Sequence, residues 1–252
     1  MFRRLVLIAG ALFGAGCAPA DETAGVTPRP EVLSGAFTPG FVGEAGDERY
    51  PVRVIRIGEV RISSGRVIVA DPFLMSTRDQ PLTVVVPPGR YPVDLAVATA
   101  GGGGQRGALA PLLVSGAPVV RWSMAVTAGQ DISTLKDDET FGYGVDAGTG
   151  SFIDATLPAW LERRYPPQQV DFYAEVSEGW QTRGEARGPE LGIPYGFALI
   201  EDYEGGGVAM FSSGWGDGFY TSWIGHDAAG RPAVLVTDFG VIEAVNLPPT
   251  GQ

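Results

Sequence analysis

Cysteine, histidine and lysine each occur once in these 252 residues, as Cys17, His226 and Lys136. A single cysteine allows no internal disulfide, so packing has to supply the stability. One thiol and one imidazole leave no soft donor set for zinc, copper or an iron–sulfur cluster. Cysteine nucleophiles are excluded as well, because the one thiol sits in a leader-like segment. Basic residues are few: 18 Lys and Arg stand against 29 Asp and Glu, a net charge of −11. So acidic a chain is repelled by nucleic acid and by anionic lipid, and neither is expected as a partner. Beyond the N-terminal run no apolar stretch approaches twenty residues, so no transmembrane helix is expected.

The apolar run that does exist is short. Arg3 and Arg4 precede Leu5 to Phe13, and Gly14-Ala15-Gly16 leads to Cys17. This arrangement resembles a bacterial lipoprotein signal, in which the chain is cut before the cysteine and the thiol is acylated. Two or more acyl chains give stable anchoring, at about 0.8 kcal/mol per buried methylene. Ala18, in place of an aspartate, matches outer-membrane sorting where two membranes exist. The alternative is a secreted or periplasmic soluble protein with Cys17 near an ordinary cleavage site. Loss of residues 1–16 removes two arginines and no acid, moving the net charge from −11 to −13. The expected organisation is a signal peptide over 1–16, a lipidated Cys17 with a flexible tether over 17–48, and one domain over 49–252.

Glycine (37 residues) and proline (20) are plentiful, and many glycines punctuate short β-branched runs, the pattern of strands and hairpins. Val52, Val54, Val60 and Ile62 share one parity against Arg53, Glu59 and Arg61, as a half-buried strand demands. Ser63-Ser64-Gly65 then predicts a hairpin back through Arg66–Ala70. Leu82–Val86 is a continuous apolar run stopped by prolines, Tyr91–Val97 alternates, and Val120–Val126 alternates most clearly of all. Asp131 caps a short turn, and Asp154 or Thr156 caps a helix with Pro158 in its first turn and Trp160 and Leu161 on its buried face. Phe197–Ile200, Val208–Phe211, Phe219–Ile224 and Pro232–Phe239 predict an antiparallel meander. The fold class is mainly β: antiparallel sheets with hairpin connections, sandwich or open-barrel-like, with one or two short helices.

Several strings occur in a fixed order: Asp71-Pro72-Phe73, Pro88-Gly89-Arg90-Tyr91, Val120-Arg121-Trp122, Phe141 to Gly150 (FGYGVDAGTG) with Asp154, Phe211 to Tyr220 (FSSGWGDGFY), and Val236-Thr237-Asp238-Phe239. Together they resemble the bacterial domain-of-unknown-function family 4241, over about residues 50–243. The resemblance implies a fold and no activity. Ser151 stands where that family has a cysteine and His226 where a tyrosine is usual, so neither thiol nor imidazole chemistry is implied there.

The strings invite several chemistries. Gly142, Gly144, Gly148 and Gly150 lack the lysine, the spacing and the following helix of a phosphate cradle. A Ser-His-Asp triad would need His226 with Ser212 or Ser213 and Asp238, but no nucleophile elbow is present and His226-Asp227 reads as a hairpin turn. The aspartates are the better lead. Asp71, Asp146, Asp154, Asp217 and Asp238 all fall at strand ends beside glycine, proline or aromatics. There they either cap turns, hold a hard cation such as Ca²⁺, or act as a catalytic pair, Asp146 with Asp217. No cofactor is otherwise expected. Trp215, Tyr220 and Trp223 flank Asp217, and aromatic faces beside carboxylates are how proteins hold sugars. The expected function is binding of an extracytoplasmic ligand or protein through Asp71, Asp146, Asp154, Trp215, Asp217, Tyr220 and Asp238. The alternative is a carboxylate-dependent hydrolase acting on an envelope glycan.

Overall fold

Gly58 interrupts the longest apolar alternation, and its backbone φ of +151° marks where the first long strand bends. The computed structural model describes residues 27–38, 40–166, 176–193 and 196–245. Its larger sheet contains β1 (Val42–Ala45), β2 (Glu48–Ile62), β4 (Gly89–Thr99), β5 (Gln105–Leu113), β6 (Arg121–Met124), β7 (Tyr143–Val145), β11 (Gly218–His226), β12 (Pro232–Asp238) and β13 (Ala244–Val245). The order is β13-β1-β2-β4-β5-β12-β11-β6, with β7 sharing the outer edge of β11 with β6. A smaller sheet runs β3 (Val67–Ala70), β8 (Thr149–Asp154), β10 (Gly206–Ser212), β9 (Ala198–Tyr203). All pairings are antiparallel, and the curled sheets form a half-barrel.

The smaller sheet is a middle layer, which explains why β8 and β10 are buried on both faces. Phe152, Ala209 and Phe211 point at Val60, Ile62, Val93, Leu95 and Leu109 of the larger sheet. The alternate residues Ile153, Val208 and Met210 pack with Leu157, Leu161 and Trp180 from two helices, α2 (Leu157–Arg164) and α3 (Glu178–Glu190). Period-two alternation thus feeds two cores from one strand. Helix α3 has weak propensity, carrying Gly179, Gly184, Gly188 and Pro189, and packing overrides it. A Cβ on Gly184 would come within 2.1 Å of the Phe197 ring, and one on Gly188 within 1.9 Å of the Gly196 carbonyl. These glycines let the helix backbone lie directly on the chain entering β9.

Several expectations change. Residues 30–38 and 40–45, within the segment expected as a tether over 17–48, pack into the fold. Helix α1 (Pro30–Gly35) buries Val32 and Leu33, β1 lies between β2 and β13, and Arg29 bonds Asp238 Oδ2 and the Ile242 carbonyl, both at 2.7 Å. Apolar side chains in the segment outweigh its proline and glycine content. The leader and Cys17 lie outside the described residues. The uniform parity of β2 fails at Val54, which is 36% exposed, because a bulge between Arg56 and Gly58 shifts the register and turns Ile57 inward. Ser63-Ser64-Gly65 does not close a hairpin: β3 leaves the larger sheet and pairs with β8. Leu82–Val86 makes only isolated bridges, and the Val120–Val126 strand shrinks to the four residues of β6. The C-terminal meander is two hairpins in different sheets, since β10 pairs β8 and β9 while β11 pairs β12. The short turn after Asp131 forms as expected, its carboxylate accepting from Ser133 N.

Candidate functional site

At one end of the half-barrel the two longest glycine–aspartate strings meet. β7 and β11 pair through Tyr143↔Tyr220, Gly144↔Phe219 and Val145↔Gly218, so the turn after β7 (146–148) lies against the turn before β11 (213–217). Ser213 N donates to the Gly148 carbonyl at 3.0 Å. Gly148 and Gly216 hold φ of +62° and +97°, a region where a side chain would strain the backbone. The buried Asp71 fixes this rim from the end of β3. Its Oδ1 accepts from Phe73 N at 2.9 Å, and its Oδ2 accepts from Asp146 N at 3.0 Å and Ala147 N at 2.8 Å. A file of rings supports the rim from the core: Phe152–Phe211, Phe211–Phe239, Phe239–Tyr220 and Tyr220–Tyr143, with centroids 5.0–6.5 Å apart. Tyr220 is buried and donates its hydroxyl to the Gly216 carbonyl at 2.8 Å, and burial raises its pKa above the usual phenol value.

The crest of the rim is what solvent meets. Asp146, Asp217 and Phe219 are exposed, and Trp215 is 60% exposed with the Arg106 guanidinium 5.3 Å from its ring centroid. A cleft opens on either side of the crest. The larger, about 340 Å³, is lined by Asp71, Arg78, Asp79, Gln130, Tyr143 and Gly144 among others. The smaller, about 230 Å³, is lined by Gln105, Arg106, Ser212, Ser213, Trp215 and Gly216 among others. In the smaller one the Gln105 Oε1 is buried and has no hydrogen-bond partner. The Tyr143 hydroxyl is likewise buried, above Gly150; burial raises its pKa strongly, against a smaller lowering by the neighbouring Thr237 side chain, and keeps it neutral.

The other expected site residues lie elsewhere. Asp154 is fully buried at the far end of β8, five residues and about 17 Å of strand from Thr149. Its Oδ2 accepts from Ser64 N (2.8 Å) and Oγ (3.0 Å), and its Oδ1 from Thr156 N (2.9 Å) and Oγ1 (2.5 Å). Asp238 accepts from Arg29 and from Gly240 N at 2.9 Å. Asp71, Asp154 and Asp238 are thus occupied by turns and by one arginine, while Asp146 and Asp217 project from the rim. Among the described residues no three His, Cys, Asp or Glu side chains group closely enough to hold a metal ion.

The triad geometry does not exist. His226 ends β11, eight residues from the rim, where its Nε2 contacts Ser123 Oγ at 2.8 Å and its Nδ1 contacts the Gly230 carbonyl at 3.3 Å. Desolvation, then the nearby Arg121, lower its pKa below 6.5 against the raising effects of Gly230 and Asp227. The hairpin turn beside it belongs to Asp227, whose carboxylate accepts from Ala229 N and Arg231 N. Ser151 is buried and donates to the Ala70 carbonyl. Gln105 and Arg106 had no signal in the sequence, since they follow a run of four glycines and look like loop flanks.

A half-barrel with a middle sheet, closed on its outer side by helices and carrying a polar rim between two clefts, defines a class of mainly-β domain. Within that class, the family described as Protein of unknown function (DUF4241) matches residues 60–237, well over half the chain, and this protein belongs to it. No curated protein and no solved structure matches the chain.

Proposed function

We propose that this protein is a lipid-anchored, extracytoplasmic binding domain that takes a glycan on the rim around Trp215. One observation carries the reading: an exposed indole, braced by Arg106 and flanked by exposed carboxylates, stands over a small polar cleft. Sugars bind on such exposed aromatic faces, with polar groups at the edge of the ring taking their hydroxyls. The anchor is argued from Arg3, Arg4, the Leu5–Phe13 run and Cys17. The test uses the full chain with Cys17→Ser, screened by thermal shift against soluble envelope-type oligosaccharides, Ca²⁺ and Mg²⁺. A glycan that binds should raise the melting temperature in proportion to the logarithm of its concentration, and Trp215→Ala should remove the shift. A glycan response that survives Trp215→Ala moves the site off this rim, and no response to any glycan ends the reading. Membrane retention of Cys17→Ser would end the anchor.

A second reading, glycan hydrolysis, is favoured by one observation. Asp146 and Asp217 each lie one residue beyond the Val145↔Gly218 pair. That keeps the two exposed side chains near one another on the crest, and glycosidases work with a pair of carboxyl groups. Product release from an oligosaccharide that is abolished by both Asp146→Asn and Asp217→Asn supports it; binding without turnover rejects it.

A further inference from the structure

We propose that the larger cleft beside the crest takes the C-terminal end of an extended peptide, held by main-chain bonds to an open strand edge and by its terminal carboxylate. This site is separate from the glycan rim and does not rest on it. The cleft, about 340 Å³, is lined by residues of β3 in the smaller sheet and of β7 in the larger. β3 has β8 as its one strand partner, and β7 has β11. Antiparallel neighbours bond through alternate residues, so every second residue of such a strand turns its N–H and C=O outward. The flanking bonds show which residues these are. Outside β3, the Gly65 carbonyl accepts from Val86 N at 2.9 Å and the Val67 carbonyl from Leu82 N at 2.8 Å. Val69, two residues on, shares their direction and lines the cleft. Beyond β7, Asp146 N points away from β11 to reach Asp71 Oδ2. Gly144, two residues back, turns its N–H the same way and also lines the cleft. Among the described residues no main-chain hydrogen bond reaches Val69 or Gly144 from that side. Open edges of this kind are templates for an incoming extended chain.

The rest of the lining says which part of a peptide fits. Asp71 ties the end of β3 to the turn after β7 through Asp146 N and Ala147 N. That staple closes one end of the cleft, so a chain stops there instead of running through. The volume lies near the lower end of the roughly 300–1,000 Å³ of ligand sites, room for the last few residues of a chain. Arg78 lines the same cleft and is exposed, and its guanidinium makes no ion pair among the described residues. The carboxylates nearby are engaged: Asp71 holds its three amides, and Asp79 accepts from Ser76 N at 2.6 Å. An arginine left with a free fork takes a carboxylate through two parallel N–H bonds, whereas a free amino terminus would be repelled. Leu74, 48% exposed, gives an apolar wall for a side chain. A Cβ on Gly144 would meet nothing within 4 Å, so the approach to that edge is open.

The test selects a random hexapeptide library with free C-termini on the full Cys17→Ser chain. The best binder is then compared with its C-terminal amide by calorimetric titration. The amide should bind at least about tenfold more weakly, and Arg78→Ala, at an exposed position, should bind both forms alike. Hydrogen exchange with the free acid bound should show new protection at the Val69 amide, the Gly144 amide or both. N-methylation of the peptide amides one at a time should abolish binding at one or more positions, because it removes a donor and leaves the side chains in place. Equal binding of acid and amide by the unmutated cleft overturns the carboxylate assignment. Protection at neither amide, or tolerance of methylation at every position, overturns strand pairing. A library that yields no binder overturns the site and leaves the glycan reading of the rim standing.

Discussion

Replacing Asp71 by asparagine asks whether one carboxylate holds the rim in shape. The side chain is 3% exposed and accepts three main-chain N–H groups, one from its own turn and two from the turn after β7. Asparagine fills the same volume but offers one oxygen. Turned so that this oxygen serves Asp146 and Ala147, it points an NH₂ at the Phe73 amide and leaves that donor unpaired. Turned the other way, it abandons two donors instead. Hydrogen bonds to a charged group contribute about 1.5–3 kcal/mol, and an orphaned buried donor costs about 1–3 kcal/mol. The cheaper orientation therefore loses about 2–3 kcal/mol. For a domain near 200 residues, each kcal/mol shifts the melting temperature by roughly 2–4 °C, so a fall of roughly 4–12 °C is expected. Urea titration should show a lower midpoint at unchanged slope. Hydrogen exchange adds a local reading, because Asp71→Ala should lose protection at the Asp146 and Ala147 amides before any loss in β10. Stability of Asp71→Asn within 0.5 kcal/mol of wild type, a threshold of about the scatter of surface mutants, would refute the staple. So would unchanged exchange at those two amides in Asp71→Ala.

Two further predictions concern the scaffold. Gly188→Ala should destabilise by about 2 kcal/mol despite the roughly 1 kcal/mol gained in helix propensity, because its Cβ meets the Gly196 carbonyl at 1.9 Å. Gly179→Ala, facing only the movable Arg183 side chain at 3.2 Å, should be neutral or stabilising; equal denaturation midpoints for the two variants would contradict the close approach of α3. His226 binds its proton more weakly when folded, with desolvation as the leading cause. The contribution is complete above the unfolded value near 6.5 and is lost as pH falls from there through the lower folded value. Melting temperatures measured from pH 8 to 5 should therefore fall less steeply for His226→Gln than for wild type, and parallel curves would refute the shift.

The long alternating strands were legible in the sequence because large apolar side chains mark one face, as Tyr91, Val93, Leu95 and Val97 do in β4, although Val93–Ala98 are buried on both faces. Their partners were not. The Ser63-Ser64-Gly65 turn has hairpin composition, yet β3 crosses to the other sheet, where it pairs with the buried β8 and Asp154 holds Ser64. Helix α3 was hidden by its glycines, which weaken local propensity while permitting close packing. The rim was half visible. Asp146, Trp215 and Asp217 stood out as residue types, and the pairing of β7 with β11 brings them together. Asp71 and Asp154 looked equally functional, and the structure gives their oxygens to main-chain amides and, for Asp154, to two hydroxyls as well. Gln105 and Arg106 were invisible because a cleft residue next to a glycine loop has no periodic signature.

The borders of the two sheets carry a consequence for edge-to-edge pairing. The larger sheet ends in β13, with two residues, and in β6 and β7, with four and three; beyond Pro51, β2 has a strand partner on one side only and carries Arg53, Arg56, Glu59 and Arg61 along that length. The smaller sheet ends in β3, with four residues, and in β9, whose Glu201 and Asp202 carry charge onto the border and pair with Arg183 and Arg90. Among the described residues, no long uncharged ribbon is left for a neighbouring copy to continue. Strand-to-strand continuation between copies is therefore disfavoured at these borders.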